Sequence, residues 1–197
     1  MTTNSHLGTF ENGTWYLDTN GNGSWDGVGF GLDSTGTFGT AAMRPVVGDW
    51  NGDGFTEMGA YENGTLYLDL NGNGLWDDVA GGDLTYTFGT YAMIPVAGDW
   101  DGDGRSEIGV YESGQWYLDI NGNGSWDGGA TDANYTFGTS AMTPVPGDWD
   151  NDGVDEIGAF EAGQWCLDVN GSGTWDGGDA NYTYGTSAMT PVAGTWH

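Results

Sequence analysis

Residues 98–111 read GDWDGDGRSEIGVY, and close copies of this stretch begin at Gly48 and Gly147. Within it, three aspartates alternate with small or aromatic residues, so their charges repel one another unless something neutralises them. The recurrence indicates an internal repeat, and a fixed repeat period is typical of a repeat architecture.

A second stretch recurs with the same period. WYLDTNGNGSWDG at residue 15 reappears as LYLDLNGNGLWDD at 66, WYLDINGNGSWDG at 116 and WCLDVNGSGTWDG at 165, in steps of 51, 50 and 49 residues. A period of about 50 residues favours a propeller blade over the shorter helical repeats. The single cysteine, Cys166, stands where the other copies have tyrosine, so we expect it to be a strand residue.

Each unit is predicted to contain four short strands, because runs of β-branched and aromatic residues are bounded by Gly, Asn or Asp. In the last unit these strands are 143–145 running to 149, 156–160, 164–169 and 181–185. No stretch has helical apolar spacing over three turns. The sequence therefore predicts an all-β fold, a β-propeller of four four-stranded blades. An extended β-solenoid is the alternative, although nearly fifty residues is long for one coil.

The whole chain, 1–197, is predicted to be one domain. Its blades are 44–93, 94–142 and 143–189, with a composite blade made of 1–43 plus 190–197. The chain begins at the second strand of a unit and ends at the first, so the terminal strands would close the last blade and leave no open sheet edge. The same ends could instead exchange strands between chains, giving an eight-bladed dimer or a fibre.

The composition excludes several classes of partner. Asp and Glu number 29 against 2 Lys and Arg, for a formal net charge of −27. Nucleic acid and anionic membrane surfaces require positive charge, so neither is predicted as a partner. With 28 aromatic residues the chain is expected to fold despite its acidity. It has no apolar run long enough to span a membrane and no secretory signal at its start, so an exported form would be a mature fragment or use another route.

The aspartate-rich stretches have the ligand spacing of a calcium loop. Side-chain oxygens at positions 1, 3 and 5, a backbone carbonyl at 7, an acid at 9 and a glycine at 6 can wrap a hard cation. Zinc would require His or Cys, which these loops lack, and magnesium demands a tighter octahedron. The first loop class comprises Asp49, Asn51, Asp53, Phe55 and Glu57; Asp99, Asp101, Asp103, Arg105 and Glu107; and Asp148, Asp150, Asp152, Val154 and Glu156.

A second loop class keeps the spacing but replaces carboxylates by Asn or Ser. Fewer charges predict weaker calcium binding, and the loop that begins at Asp168 is expected to empty first because Ser172 is a short ligand. The members are Asp18, Asn20, Asn22, Ser24 and Asp26; Asp69, Asn71, Asn73, Leu75 and Asp77; Asp119, Asn121, Asn123, Ser125 and Asp127; and Asp168, Asn170, Ser172, Thr174 and Asp176.

Up to seven calcium ions per chain are therefore predicted. Nineteen of the 29 acidic residues occupy ligand positions of the seven loops, and full occupancy would bring the net charge from −27 to −13. The alternative is that the loops are plain turns in which Asp and Asn form Asx-turns. An eighth loop at the C-terminus has Thr195 and His197 in place of ligands, so no metal is predicted there. If both classes connect strands at the same end of a blade, all seven sites lie on one face.

The units resemble the FG-GAP repeats of integrin α-subunit propellers and of bacterial and archaeal surface proteins. The resemblance rests on TFG at 37–39, 87–89 and 136–138, followed by PVVGDWNGDGFTEMGAY, PVAGDWDGDGRSEIGVY or PVPGDWDNDGVDEIGAF. It covers essentially the whole chain and implies a calcium-stabilised propeller with an extracellular adhesion or ligand-binding role. Propellers of that family usually have about seven blades, whereas four units are present here. The second loop class also resembles a dockerin calcium loop, without dockerin's helices.

The function favoured by the sequence is a non-enzymatic, extracellular structural or interaction module with a protein or glycan ligand. A hydrolase or lyase is disfavoured because a base near neutral pH is usually histidine, and both histidines, His6 and His197, lie outside the repeats. Two alternatives remain open: a subunit of a fibre or surface layer that self-associates through its terminal strands, and a calcium-dependent lectin. The lectin's sugar-stacking candidates, which could equally pack between blades, are Trp25, Trp76, Trp126 and Trp175.

Overall fold

The computed structural model describes residues 7–193, and this part of the chain is almost entirely β-structure. Its fifteen strands form four antiparallel sheets, one for each repeat unit, as the blades of a four-bladed β-propeller. One helical turn, Asp78–Gly81, interrupts the pattern. The predicted all-β propeller is confirmed.

Within each sheet the strands neighbour one another in chain order, as in a meander. The first sheet contains β1 (Gly8–Glu11), β2 (Thr14–Leu17) and β3 (Ser34–Thr37). The second contains β4 (Arg44–Gly48), β5 (Glu57–Glu62), β6 (Thr65–Leu68) and β7 (Leu84–Thr87). The third contains β8 (Ile94–Gly98), β9 (Glu107–Glu112), β10 (Gln115–Leu118) and β11 (Ala133–Thr136). The fourth contains β12 (Thr143–Pro144), β13 (Gly158–Glu161), β14 (Gln164–Leu167) and β15 (Ala180–Thr183).

A two-residue turn joins β1 to β2, β5 to β6, β9 to β10 and β13 to β14, which are the second and third strands of each repeat unit. Glu62 pairs with Thr65, which leaves Asn63 and Gly64 in the turn with φ angles of 55° and 86°. Positive φ at both central residues gives the type I′ turn, whose twist matches that of the flanking strands. The same geometry recurs at Asn12 and Gly13, Ser113 and Gly114, and Ala162 and Gly163.

The hydrophobic core lies between successive blades. Phe88, which follows β7, shares one buried cluster with Ile108 and Val110 of the third blade. Equivalent clusters join Phe38 to Met58 and Ala60, and Phe137 to Ile157 and Ala159. Since burial of a large apolar side chain contributes roughly 1.5–3 kcal/mol, these contacts set the order of the blades and support the loops at their ends.

The first blade has three strands in the described part of the chain. There β1 pairs with β2 alone, and residues 190–193 form no strand. Residues 1–6 and 194–197 lie outside the described residues, and with them Thr195, His197 and His6. The composite closing strand and the metal-free eighth loop therefore stay predictions.

Candidate metal centre

The first loop class connects the first and second strands of a blade. In the second blade Gly48, the last residue of β4, pairs with Glu57, the first residue of β5. Asp49 and Glu57 therefore lie at the two ends of the loop, where the paired strands hold them close together. The loops at 99–107 and 148–156 have the same position in the third and fourth blades.

The opening aspartate organises the loop by accepting backbone hydrogen bonds. One oxygen of Asp49 accepts the N–H groups of Gly52 at 2.7 Å and Asp53 at 3.1 Å, and the other accepts that of Gly54 at 2.8 Å. Asp99 and Asp148 repeat this pattern with distances between 2.6 and 3.1 Å. The loop is thereby curled around its first carboxylate.

The residues at positions 3, 5 and 7 continue the curl. Asn51 accepts the N–H of Asp53 at 2.8 Å, and Asp53 accepts the N–H of Phe55 at 2.9 Å. The N–H groups of Arg105 and Val154 bond in the same way to Asp103 and Asp152, both at 2.9 Å. The metal-binding role of the position 7 carbonyls stays a prediction.

The closing glutamates are buried beneath the loops. Oε2 of Glu57 accepts the backbone N–H of Trp50 at 2.9 Å, and Glu107 and Glu156 accept those of Trp100 and Trp149 at 3.0 and 2.8 Å. Carboxylate oxygens within 4.8 Å of one another form three groups: Asp49, Asp53 and Glu57; Asp99, Asp101 and Glu107; and Asp148, Asp150, Asp152 and Glu156. Asp103 is not a member of its group.

Burial and neighbouring charge make these glutamates hard to ionise. Burial foremost, and then the loop aspartates, raise the pKa of Glu57 from 4.5 to about 7, that of Glu107 to about 8 and that of Glu156 to about 7. A cation among the carboxylates would favour their ionised form and relieve the repulsion. Each group can therefore hold a metal ion, with carboxylate oxygens as ligands.

The second loop class has the same backbone curl between the third and fourth strands. Asp69 accepts the N–H groups of Asn73 at 3.1 Å and Gly74 at 2.7 Å, and Asp18, Asp119 and Asp168 do the equivalent. The carboxylate of Asp77 accepts a side-chain N–H from Asn73 at 2.5 Å. Asn amides thus satisfy the last carboxylate, so these loops are less repulsive than those of the first class.

Four buried or partly buried aspartates beside these loops were missed by the sequence reasoning. They accept, at 2.6–2.7 Å, the backbone N–H of the last loop aspartate, and are Asp33, Asp83, Asp132 and Asp179. The other carboxylate oxygen of Asp33, Asp132 and Asp179 is buried with no hydrogen-bond partner among the described residues. Their distance from the loop varies between units, which hid them. The signal was an Asp immediately before the last strand of every unit.

The two loop classes lie side by side in the second, third and fourth blades. The side chain of Asn51 donates a hydrogen bond to the carbonyl of Leu70 at 3.2 Å, which joins the loop at 49–57 to that at 69–77. A crevice of about 210 Å³ between the second and third blades is lined by Asp101 and Glu107 of one loop and Asp119 of the other. The predicted common face is confirmed for these pairs.

Three of the four candidate sugar-stacking tryptophans pack between blades, whereas Trp25 meets Tyr16 of its own blade. Trp76 meets Tyr67 of its own blade and Phe38 of the preceding one, with ring centroids 5.2 and 5.9 Å apart. Trp126 and Trp175 make the equivalent contact with the preceding blade. Between 38% and 54% of each side chain stays exposed. The packing interpretation therefore accounts for Trp76, Trp126 and Trp175. Cys166 is a half-buried residue of β14, as expected.

In comparisons with known proteins, no family model and no curated protein matched this sequence. The resemblance to FG-GAP repeats thus rests on the motifs alone. Among residues 7–193, no helix is long and apolar enough to cross a membrane.

Proposed function

We propose that this protein is a calcium-binding, non-enzymatic propeller that serves outside the cell as a structural or adhesive interaction module. The observation that carries the proposal is the threefold recurrence of one arrangement: an opening aspartate, one or two further loop carboxylates and a buried glutamate, with oxygens within 4.8 Å. Asx-turns alone would explain the aspartates but give no reason to bury a glutamate among them in every copy.

Calcium is the metal whose chemistry suits these loops. It accepts six to eight oxygen ligands at flexible angles, and the loops offer carboxylate, amide and backbone oxygens without nitrogen or sulfur ligands. Extracellular calcium is abundant enough to fill weak sites, which supports a location at the cell surface or outside the cell. The FG-GAP resemblance supports the same location and an adhesion role.

In the second loop class, the aspartate that precedes the last strand of each unit supplies negative charge that the loop itself lacks. We assign Asp33, Asp83, Asp132 and Asp179 as additional ligands, since each lies against the last loop aspartate and three carry an unpaired buried oxygen. A carboxylate oxygen with no hydrogen-bond partner is costly to bury, and a bound cation offsets that cost. With Asn at position 3 and Asn or Ser at position 5, these sites remain weaker than those of the first class.

A calcium titration followed by isothermal calorimetry tests the proposal. The expected result is up to seven ions per chain in two phases, with the tighter phase belonging to the three acidic groups. Magnesium at the same concentration should bind at least about tenfold more weakly because its octahedron does not fit these ligands. Absence of calcium binding at millimolar concentration would overturn the proposal.

A further inference from the structure

The outer face of the fourth blade lacks the neighbour that covers the same face of every other blade. In the first three blades an aromatic residue that follows the last strand is buried by the next blade, namely Phe38, Phe88 or Phe137. The equivalent in the fourth blade, Tyr184, is 79% exposed, against 3% for Phe137. Tyr182, two residues earlier, is also exposed.

The first blade presents the matching face, also uncovered. Buried glycines Gly124 and Gly173 lie directly against the rings of Tyr86 and Tyr135 of the preceding blade. Gly23 occupies the same loop position in the first blade, has the same positive φ, and is exposed with open space where that ring would lie. The open space beside Gly23 can therefore accept the ring of a residue such as Tyr182.

Strand β1 of the first blade is uncovered in the same way. Ala60, Val110 and Ala159 are fully buried, and each is approached by the glycine that ends the preceding blade, Gly39, Gly89 or Gly138. Their equivalent, Thr9, is exposed. Gly185 at the end of the fourth blade meets only its neighbour Met189. Within residues 7–193, the first and fourth blades thus each present a complementary face that is left uncovered.

The C-terminal segment carries a third unfilled contact. Val46, Val96 and Val145 are core residues of the innermost strand segments, preceded each time by proline. Val192, which follows Pro191, is 67% exposed, against 4% for Val145. The strand that this segment would form is the one that the first blade lacks beside β1.

We propose that the fourth blade of one copy docks onto the first blade of a second copy, head to tail. Tyr182 of one copy fills the open space beside Gly23 of the other, Tyr184 packs beside Thr9 and Trp25, and residues 190–193 add a strand to the free edge of β1. The interface would be a fourth instance of the contact that each chain already makes three times. Because the contact is heterologous, repetition gives a ring or a filament.

The charge of the chain sets the conditions under which docking is measured. Copies with a net charge of −27 repel one another at low salt. Sedimentation should therefore be run in about 1 M sodium chloride, where the Debye length is about 3 Å, with and without calcium. Docking in salt without calcium tests the faces alone, so its outcome is separable from that of the calcium titration.

Two matched pairs of variants make the test specific. Tyr184→Asp and Val192→Asp place a charge in the docking faces, while Tyr91→Asp and Val79→Asp place one at residues that are equally exposed elsewhere. All four should fold, as circular dichroism would verify, because the altered side chains are exposed. We expect the mass of the native chain to rise with concentration above 20.8 kDa, and the dissociation constant of the two face variants alone to rise at least about tenfold.

Three results would overturn the proposal. A native chain that stays at 20.8 kDa while the Val192 amide is protected from hydrogen exchange indicates closure within one chain. A native chain of that mass with no such protection indicates that the faces do not dock. Association that the control variants weaken as much as the face variants indicates a different interface.

Discussion

Oε2 of Glu107 accepts the backbone N–H of Trp100 at 3.0 Å. Glu107, the last acidic residue of the loop at 99–107, is thereby fixed against the residues that directly follow β8. The bond holds a buried carboxylate beside Asp99 and Asp101. Under the proposed function, Glu107 costs stability in the metal-free protein and serves as a ligand in the metal-bound one.

Replacing Glu107 by glutamine should separate these two effects. Glu107→Gln retains an oxygen for the N–H of Trp100 but removes the buried charge, so the metal-free protein should melt at a higher temperature. Calcium affinity at this loop should fall by about tenfold or more because a charged ligand is lost. Differential scanning calorimetry with and without calcium measures both changes.

The matched control is Glu112→Gln, at the exposed end of the same strand. It changes the net charge equally and should leave both the metal-free melting temperature and the calcium affinity close to those of the native protein. If the two variants behave alike, Glu107 has no role in metal binding.

The stability of the metal-free protein should fall as pH rises. The folded-state pKa values of Glu57, Glu107 and Glu156 are raised to about 7, 8 and 7, above the ordinary 4.5. Between those values the folded state binds more protons than the unfolded state, so unfolding becomes easier as the glutamates are forced to ionise. Bound calcium should remove this slope, since it would hold the glutamates ionised in the folded state as they are in the unfolded state. Melting temperatures recorded between about pH 5 and pH 8 should diverge between chelator and calcium, and parallel curves would count against metal at these glutamates.

Asp132 provides the test of the second loop class. Asp132→Asn retains an acceptor for the N–H of Asp127 but removes the charge at a carboxylate with one unpaired buried oxygen. We expect the calcium affinity of the loop at 119–127 to fall by about tenfold and the metal-free protein to be no less stable. The weaker phase of a calorimetric calcium titration measures this loss as about one ion fewer per chain. Glu161→Gln, an exposed change of equal charge, should leave the titration unchanged.

Ala162 is a hairpin-turn residue that is unsuited to its backbone conformation. Its φ of 53° is left-handed, where asparagine stands at the equivalent positions 12 and 63. Ala162→Asn should stabilise the protein by about 0.5–1 kcal/mol, because asparagine tolerates this conformation better than alanine. Asn63→Ala, the reciprocal change in the second blade, should destabilise it by a similar amount. Urea unfolding measures both, and equal stability of all three proteins would contradict the type I′ assignment.

The fold could be predicted because each repeat unit marks its length by a fixed period and its hairpins by recognisable turn residues. The period set the blade, and turn pairs such as Asn63 and Gly64 set the hairpins, so the strand bounds differ from prediction by only a few residues. The loops at 49–57, 99–107 and 148–156 could be predicted because their ligands keep a fixed spacing. Asp132 could not, since its distance from the loop changes between units and only the folded chain brings it to Asp127. The exposure of Tyr184 is likewise a property of packing between blades and has no signature in the sequence.

A crystal structure determined in calcium, with anomalous data, tests the central claim most directly. The account predicts a calcium ion at the centre of the loop at 99–107, with oxygens of Asp99, Asp101 and Glu107 at about 2.3–2.6 Å. A water molecule at that point, at a hydrogen-bond distance of about 2.8 Å from the same oxygens and with no anomalous signal, would contradict it.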